Sequence, residues 1–176
     1  MTVICKSSKY KAHVALLIFN KLYASRVVHR IIANMPKDMQ HTNIDPSKFA
    51  DNLVPLRALM LETLKPELKF YKTRNPWSAA YAKTYKGNYS AMYLNTRKLN
   101  RSIASICGTV GHEWGHNLES WYRDHVNAMI YFNHGTSNRR NDNTFQYQLG
   151  IRVKAYVEEN ESELLRAVGV DPRCFE

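Results

Sequence analysis

The sequence predicts an α+β fold in which helices flank a small, three-stranded, mostly antiparallel sheet. Apolar residues recur every three or four positions in several long segments, whereas three shorter segments between residues 68 and 94 are rich in aromatic residues. A length of 176 residues suits one compact core and is short for two. We therefore expect one domain over residues 1–176, with a helical part at about 10–65 and a second part at about 66–170.

The N-terminal part is predicted to be helical. Between residues 10 and 35, apolar positions at near-helical spacing indicate one long helix, which Pro36 ends. Asp45-Pro46 and Val54-Pro55 indicate two further helix starts, because proline is tolerated in the first turn of a helix. The second start leads into a short helical run over residues 56–64.

Three strands are predicted at residues 68–71, 79–85 and 89–94. The third of them leads directly into a long helix that begins near Ser102. We expect this third strand to lie at an edge of the sheet, where an extended peptide can add as a further strand.

A last helix is predicted behind the first long one. It begins near Thr144, with Asp142 or Asn143 as its cap, because short polar side chains satisfy the free N–H groups of a first turn. Pro172 is expected to end it.

The overall charge is strongly basic. Lysine and arginine number 25 against 15 acidic residues, which gives a formal net charge of +10. Such an excess favours polyanionic partners, among them nucleic acid. The three cysteines are odd in number and far apart, which indicates a reducing compartment. Neither a signal peptide nor an apolar run long enough to span a bilayer is visible, so a cytoplasmic location is expected.

One motif carries the chemistry. His112, Glu113 and His116 form a His-Glu-x-x-His pattern, and Glu113 is the only charged residue between Arg101 and Glu119, as expected of a buried helix. On a helix, the two imidazoles share one face and can hold a tetrahedral metal, while Glu113 is displaced by about 100°. A Zn²⁺ ion with two imidazoles and one further protein ligand keeps one position for water, whose pKa it lowers toward about 7. Glu113 is then placed to act as general base.

The third metal ligand is the open question of this motif. His134 is favoured, because it begins a glycine-containing loop in which the chain can turn back toward the metal. His125 lies nine residues after His116, on the far side of an unbroken helix, and continues an apolar stripe. The remaining alternatives are Asp142, Glu158 and Glu159.

Three other residues are candidates for supporting roles. Glu119 shares the metal-binding face one turn after His116, so it could accept the second imidazole N–H and fix the tautomer, or be a solvated charge. Tyr147 or Tyr156, on the last helix, could donate a hydrogen bond to a developing oxyanion, or simply pack.

The order of these elements resembles that of the minimal zincin metallopeptidases. Within them, the segment AMYLNTRKL before the motif and His134-Gly135 after it resemble the SprT-like, Spartan-type zinc proteases, over about residues 80–150. This resemblance implies a minimal zincin-like fold, a catalytic zinc ion, a third histidine ligand followed by glycine, and a DNA-associated protease.

The leading hypothesis is therefore a zinc metallopeptidase that cleaves a protein or peptide substrate. The alternative is a basic protein that binds nucleic acid and whose zinc is structural or absent. A third hypothesis is a secreted or virion-carried effector without a classical signal. Replacing Glu113 by Gln separates the first two, because it would abolish hydrolysis and leave binding to nucleic acid intact.

Overall fold

A computed structural model of the chain describes residues 7–74, 82–85, 89–132 and 143–175. Within these ranges the elements are α1 (Ser8–Ala24), α2 (Val27–Ala33), α3 (Pro46–Leu53), α4 (Arg57–Thr63), β1 (Glu67–Tyr71), β2 (Ala82–Lys83), β3 (Ala91–Asn95), α5 (Ile103–His125) and α6 (Phe145–Ala167). Single 3-10 turns lie at Thr96–Lys98 and Pro172–Cys174. The predicted α+β class is confirmed.

The N-terminal helix is broken where the sequence predicts continuity. The expected single helix over residues 10–35 is two helices, because Arg26 adopts a left-handed conformation with φ of 66°. The N–H of Ser25 still bonds the Lys21 carbonyl at 2.9 Å, so α1 ends normally before the turn. Neither glycine nor proline marks this break in the sequence. The change of direction at Arg26 allows α2 to pack against α3 and α6.

The helix starts predicted at Asp45-Pro46 and near Ser102 are confirmed, and side chains cap both, whereas α4 begins at Arg57, after the predicted start at Val54-Pro55. The Asp45 carboxylate accepts the backbone N–H groups of Ser47 at 3.0 Å and Lys48 at 3.2 Å, at the start of α3. The Ser102 hydroxyl accepts the N–H of Ser105 at 3.1 Å, at the start of α5. Each cap satisfies a first-turn N–H group that has no partner within its helix.

Helix α6 begins close to the predicted position but ends earlier. Thr144 is its N-terminal cap residue. Its last residue is Ala167, and Gly169 follows with φ of 77°. This left-handed turn lets the N–H of Val170 bond the Leu165 carbonyl at 2.9 Å, the usual glycine-dependent helix stop. The expectation that Pro172 ends the helix is therefore wrong.

The sheet is mixed, with strand order β1-β3-β2. β1 pairs in parallel with β3 from Glu67 opposite Ala91 to Tyr71 opposite Asn95, whereas β2 pairs antiparallel with β3. The expectation of a mostly antiparallel sheet is wrong for the longer pairing, because β1 and β3 are parallel over five residue pairs and the antiparallel pairing of β2 with β3 covers two. Strand direction depends on how the chain between the strands connects them, which strand composition does not reveal. β3 lies between β1 and β2, so it is the central strand and not an edge.

The two faces of the sheet differ in character. Met92 and Leu94 of β3 are fully buried against the core, and Phe70 of β1 packs on the same side. Because neighbouring residues of a strand point to opposite faces, Tyr93 lies on the outer face, and Lys83 of β2 lies opposite it.

Helices α5 and α6 make the closest contact between elements, through glycines. A Cβ atom on Gly108 would lie 2.7 Å from the Gly150 carbonyl oxygen, and one on Gly150 would lie 2.7 Å from the Gly108 carbonyl oxygen. Farther along α5, Gly115 faces Gln146, so the two helices run antiparallel. A Cβ on Gly150 would also lie 3.2 Å from the Cβ of His112, which shows that α6 packs directly against the motif.

We predict that Gly108→Ala destabilises the fold. Its methyl group would meet a backbone oxygen that cannot move without moving α6, and such overpacking costs about 1–3 kcal/mol. Gly115→Ala is the matched control, because its methyl group would meet the flexible Cγ of Gln146 at 3.2 Å. Urea denaturation midpoints compare the two variants; an equal midpoint for both would contradict the close helix contact.

Candidate metal centre

His112 and His116 lie on one face of α5, as the motif predicts. Their ring centres are 5.1 Å apart and their planes are inclined by 73°. Tyr147 of α6 meets the His112 ring edge-on, with 4.6 Å between ring centres. The structure therefore brings three of the predicted site residues together, all of them half-buried.

The Glu113 carboxyl is buried beside this pair. Only 6% of the residue is exposed, and burial raises the pKa of its carboxyl to about 8. The Thr84 hydroxyl, just after β2, donates a hydrogen bond to it and favours the ionised form. Thr84 has no signal in the sequence, because its contact with Glu113 depends on how the sheet packs on α5.

His125 is directed away from the two motif histidines. Its Nδ1 lies 2.8 Å from the Trp121 carbonyl oxygen, and its ring stacks on the Trp121 ring at 5.0 Å. Tyr89 contacts the same imidazole edge-on at 5.3 Å. Nine residues at about 1.5 Å rise each separate it from His116 along α5, so it is not placed to share a metal with that residue.

The two glutamates on α6 are also remote from the pair. Glu158 lies 3.4 Å from the Lys154 ammonium and is eight residues, or about 12 Å, beyond the glycine that faces His112. Glu159 lines a groove between α2 and α6. His134 and Asp142 lie outside the described residues. Among those that are described, no group of three or more His, Cys, Asp and Glu side chains is placed to hold a metal ion.

Tyr156 is not brought to this site. It lines the groove between α2 and α6, together with Ile31 and Arg152. Nine residues separate it from Tyr147, which is half a rotation about the helix axis, so the two tyrosines face opposite directions.

Glu119 has a structural partner that the sequence does not reveal. The residue is 3% exposed, and its Oε1 accepts the backbone N–H of Phe132 at 3.2 Å. Burial raises the pKa of the Glu119 carboxyl, and the Phe132 hydrogen bond partly opposes that shift. The Phe132 ring is wedged between Phe49 at 5.3 Å and Phe145 at 4.3 Å.

A segment before α3 holds the chain on both sides of residues 133–142. Asn43 exchanges two hydrogen bonds with the backbone of Tyr131, at 3.0 and 3.1 Å. Three residues earlier, the N–H of Gln40 bonds the Asn143 carbonyl at 2.8 Å. The residues on either side of the predicted ligand loop are thus fixed by one distant stretch of chain.

Comparisons with known protein families, curated proteins and solved structures match nothing to this chain. The chemistry and geometry of His112, Glu113 and His116 are therefore what indicate a function.

We predict that Glu119→Ala destabilises the protein by about 1–3 kcal/mol, because it leaves the buried N–H of Phe132 without an acceptor. Glu119→Gln keeps an oxygen acceptor at the same place and should lose much less. The measurement is the free energy of unfolding from urea titration at neutral pH. Equal losses in the two variants would mean that the hydrogen bond to Phe132 contributes nothing.

Proposed function

We propose that the chain is a zinc-dependent metallopeptidase of the minimal zincin type, which hydrolyses peptide bonds of a protein substrate. The observation that carries the proposal is the pair of imidazoles, 5.1 Å apart on one helix face, with the buried Glu113 carboxyl beside them. A SprT-like assignment within that type rests on the residues around the motif alone.

The donor chemistry fits Zn²⁺. Neutral imidazole nitrogen is a preferred zinc ligand, and residues four apart on a helix can bind the same ion. His112 and His116 would hold the ion, and we propose His134 as the third ligand, since the described alternatives His125, Glu158 and Glu159 are directed elsewhere. When bound, zinc would supply a Lewis acid for the scissile carbonyl and lower the pKa of a coordinated water.

Glu113 has the environment of a residue that both takes and returns a proton. Burial raises the pKa of its carboxyl, and a cation bound beside it would favour the ionised form that accepts a proton. The hydroxyl of Thr84 would orient the carboxylate. In the proposed reaction Glu113 accepts the proton of the attacking water and returns it to the leaving amine nitrogen.

Of the two tyrosines predicted on the last helix, Tyr147 is the one that lies against the motif. Its ring packs edge-on against His112 at 4.6 Å and so helps to hold the orientation of that imidazole. A tyrosine hydroxyl close to this position could donate a hydrogen bond to the oxygen that becomes negative during attack on the carbonyl.

The strand that would align a substrate is β2. Within the described sheet it pairs with β3 on one side, and its other side is an edge. Thr84, which bonds Glu113, follows β2 directly. An extended peptide added along β2 would therefore run past the general base, and the main chain would supply the hydrogen bonds.

The setting of the protein is proposed on two observations. Cys107 is a buried free thiol, which suits a reducing compartment such as the cytoplasm. None of the described helices combines the length and the apolar character needed to cross a bilayer.

We predict that Glu113→Gln abolishes hydrolysis and leaves zinc binding intact. Loss of a general base costs about 10²- to 10⁴-fold in rate, whereas the two imidazoles are unchanged. Cleavage of a fluorescent generic protein substrate and zinc content by elemental analysis, on protein purified without chelators, give the two readouts.

His116→Ala should lose the metal as well as the activity. Glu159→Gln is the matched control for Glu113→Gln, since it makes the same substitution at an exposed residue of α6. It should leave both the cleavage rate and the zinc content at the wild-type level. Wild-type protein without a transition metal, or full activity in Glu113→Gln, would refute the peptidase and favour a binding protein whose zinc is structural or absent.

A further inference from the structure

A buried histidine lies next to the turn between α1 and α2. Only 7% of His29 is exposed, and the Tyr23 ring of α1 lies parallel to its imidazole, with 6.2 Å between ring centres. Helix α2 has seven residues and follows the left-handed Arg26. A helix of this length does not persist by itself in water, so α2 depends on its packing against α1, α3 and α6.

The imidazole of His29 meets no hydrogen-bonding group of the described chain. Within the described ranges neither its Nδ1 nor its Nε2 has a partner, and the hydroxyl of the buried Tyr23 has none either. A neutral imidazole has one donor and one acceptor, whereas an imidazolium has two donors and a full charge. A buried charge without hydrogen bonds costs far more free energy than a buried neutral ring. The packing around His29 therefore suits the neutral form.

The charges that act on His29 are cations. Burial lowers the pKa of its imidazole below the usual value, and the charges of Arg57 on α4 and of Arg26 lower it further. The Arg57 guanidinium is held here by a hydrogen bond that it donates to the Ala24 carbonyl. Burial raises the pKa of the Tyr23 hydroxyl, so this group stays neutral and supplies no countercharge.

The other elements that pack on α2 supply no compensating charge. Helix α3 carries Lys48 and Asp51, and the side of α6 that lines the groove with α2 carries Arg152 and Glu159. Among the described residues, neither these two carboxylates nor any other offsets the lowered pKa of His29. A proton on His29 would therefore add a third positive charge to those of the two guanidiniums.

We propose that His29 is an acid-sensitive switch that releases α2 from the core when its ring takes up a proton. In the released form the imidazolium is hydrated and can move away from the guanidiniums, whereas the docked helix keeps it buried beside them. Arg26 is the hinge, because its left-handed conformation is strained for a residue with a side chain and persists only while the packing on either side maintains it.

The effect of the switch would extend to helix α5. The Tyr23 ring, which stacks on His29, also contacts the Trp114 ring of α5, with 5.1 Å between ring centres. Trp114 is fully buried and follows Glu113 in the chain. Release of α2 would therefore loosen the packing behind the motif at acidic pH, and a return to neutral pH would restore it.

The direction of the pH dependence follows from the lowered pKa of His29. The released form, whose imidazole is exposed, binds a proton more readily than the docked form. The packing of α2 is therefore at full strength above about pH 6.5, the usual pKa of histidine, and weakens as the pH falls below it. Because one proton is taken up, the equilibrium constant for release rises by at most about tenfold per pH unit.

The first test is hydrogen exchange of the backbone amides of residues 30–34, expressed as protection factors over a series of pH values on both sides of about pH 6.5. In the wild type, protection should fall by up to about tenfold per pH unit on the acidic side. His29→Phe keeps a ring against Tyr23 but cannot titrate, and its protection should not change with pH. His29→Gln is a second variant that cannot titrate, and the same result is expected.

His13→Gln is the matched control, because it removes an exposed histidine of α1, and it should retain the wild-type pH dependence. The motif histidines are the same in all of these proteins, so their own titration cancels in the comparison. No substrate is needed, and the result is therefore independent of whether the chain is a peptidase.

The second test is an NMR titration of the His29 ring proton on Cε1. Arg57→Gln removes the cation with the larger effect on His29, so it should raise the pKa of the imidazole and weaken the acid dependence of exchange in α2. Arg30→Gln removes an exposed cation of α2 itself and should leave the pKa of His29 at the wild-type value.

Four results would overturn the proposal. These are a pKa of His29 at or above that of the exposed His13, the same pH dependence of exchange in the wild type and in both His29 variants, equal values of the His29 pKa in Arg57→Gln and Arg30→Gln, and an equal loss of protection in α2 and α6 on acidification. The last result would indicate acid unfolding of the whole domain, in which α2 has no separate role.

Discussion

The contact between Gly108 and Gly150 is the constraint on which the rest of the structure depends. At this crossing each glycine leaves room for the carbonyl oxygen of the other, and any side chain would separate α5 from α6. The close approach brings α6 against the metal motif and places the Tyr147 ring on His112. In a close-packed interior, a displacement of one helix is transmitted to its neighbour. A change in the packing of α6 would therefore change the geometry of the motif on α5.

Helix α5 carries two buried carboxyls that serve different ends. Glu113 accepts a hydrogen bond from Thr84, and Glu119 accepts one from the N–H of Phe132. Burial raises the pKa of both, which means that each costs free energy when ionised and needs its hydrogen bond in compensation. Glu113 is the proposed base, whereas Glu119 fixes the backbone at Phe132, directly before residues 133–142.

The pleat of the strands gives the two faces of the sheet different side chains. The inner face packs on α5 and presents Thr84 to the motif, and the outer face presents Lys83 one residue away. The two faces are not electrostatically independent: burial raises the pKa of Tyr71 on the outer face, and the charge of Glu113 adds to that shift.

Features that depend on neighbours in sequence were determined by the sequence itself. Asp45 and Ser102 cap the helices that they precede, and His112 and His116 share a face because a helix repeats every 3.6 residues. The strands were recognised from composition, although their order was not.

Features that depend on distant residues were decided by the tertiary structure. The left-handed Arg26, the parallel pairing of β1 with β3, and the remote position of Tyr156 have no local signal, since each results from where another element packs. The same holds for the Thr84 bond to Glu113 and the Phe132 bond to Glu119. A local pattern specifies which side chains a helix presents on one face, but only the packing of the whole chain decides what stands opposite them.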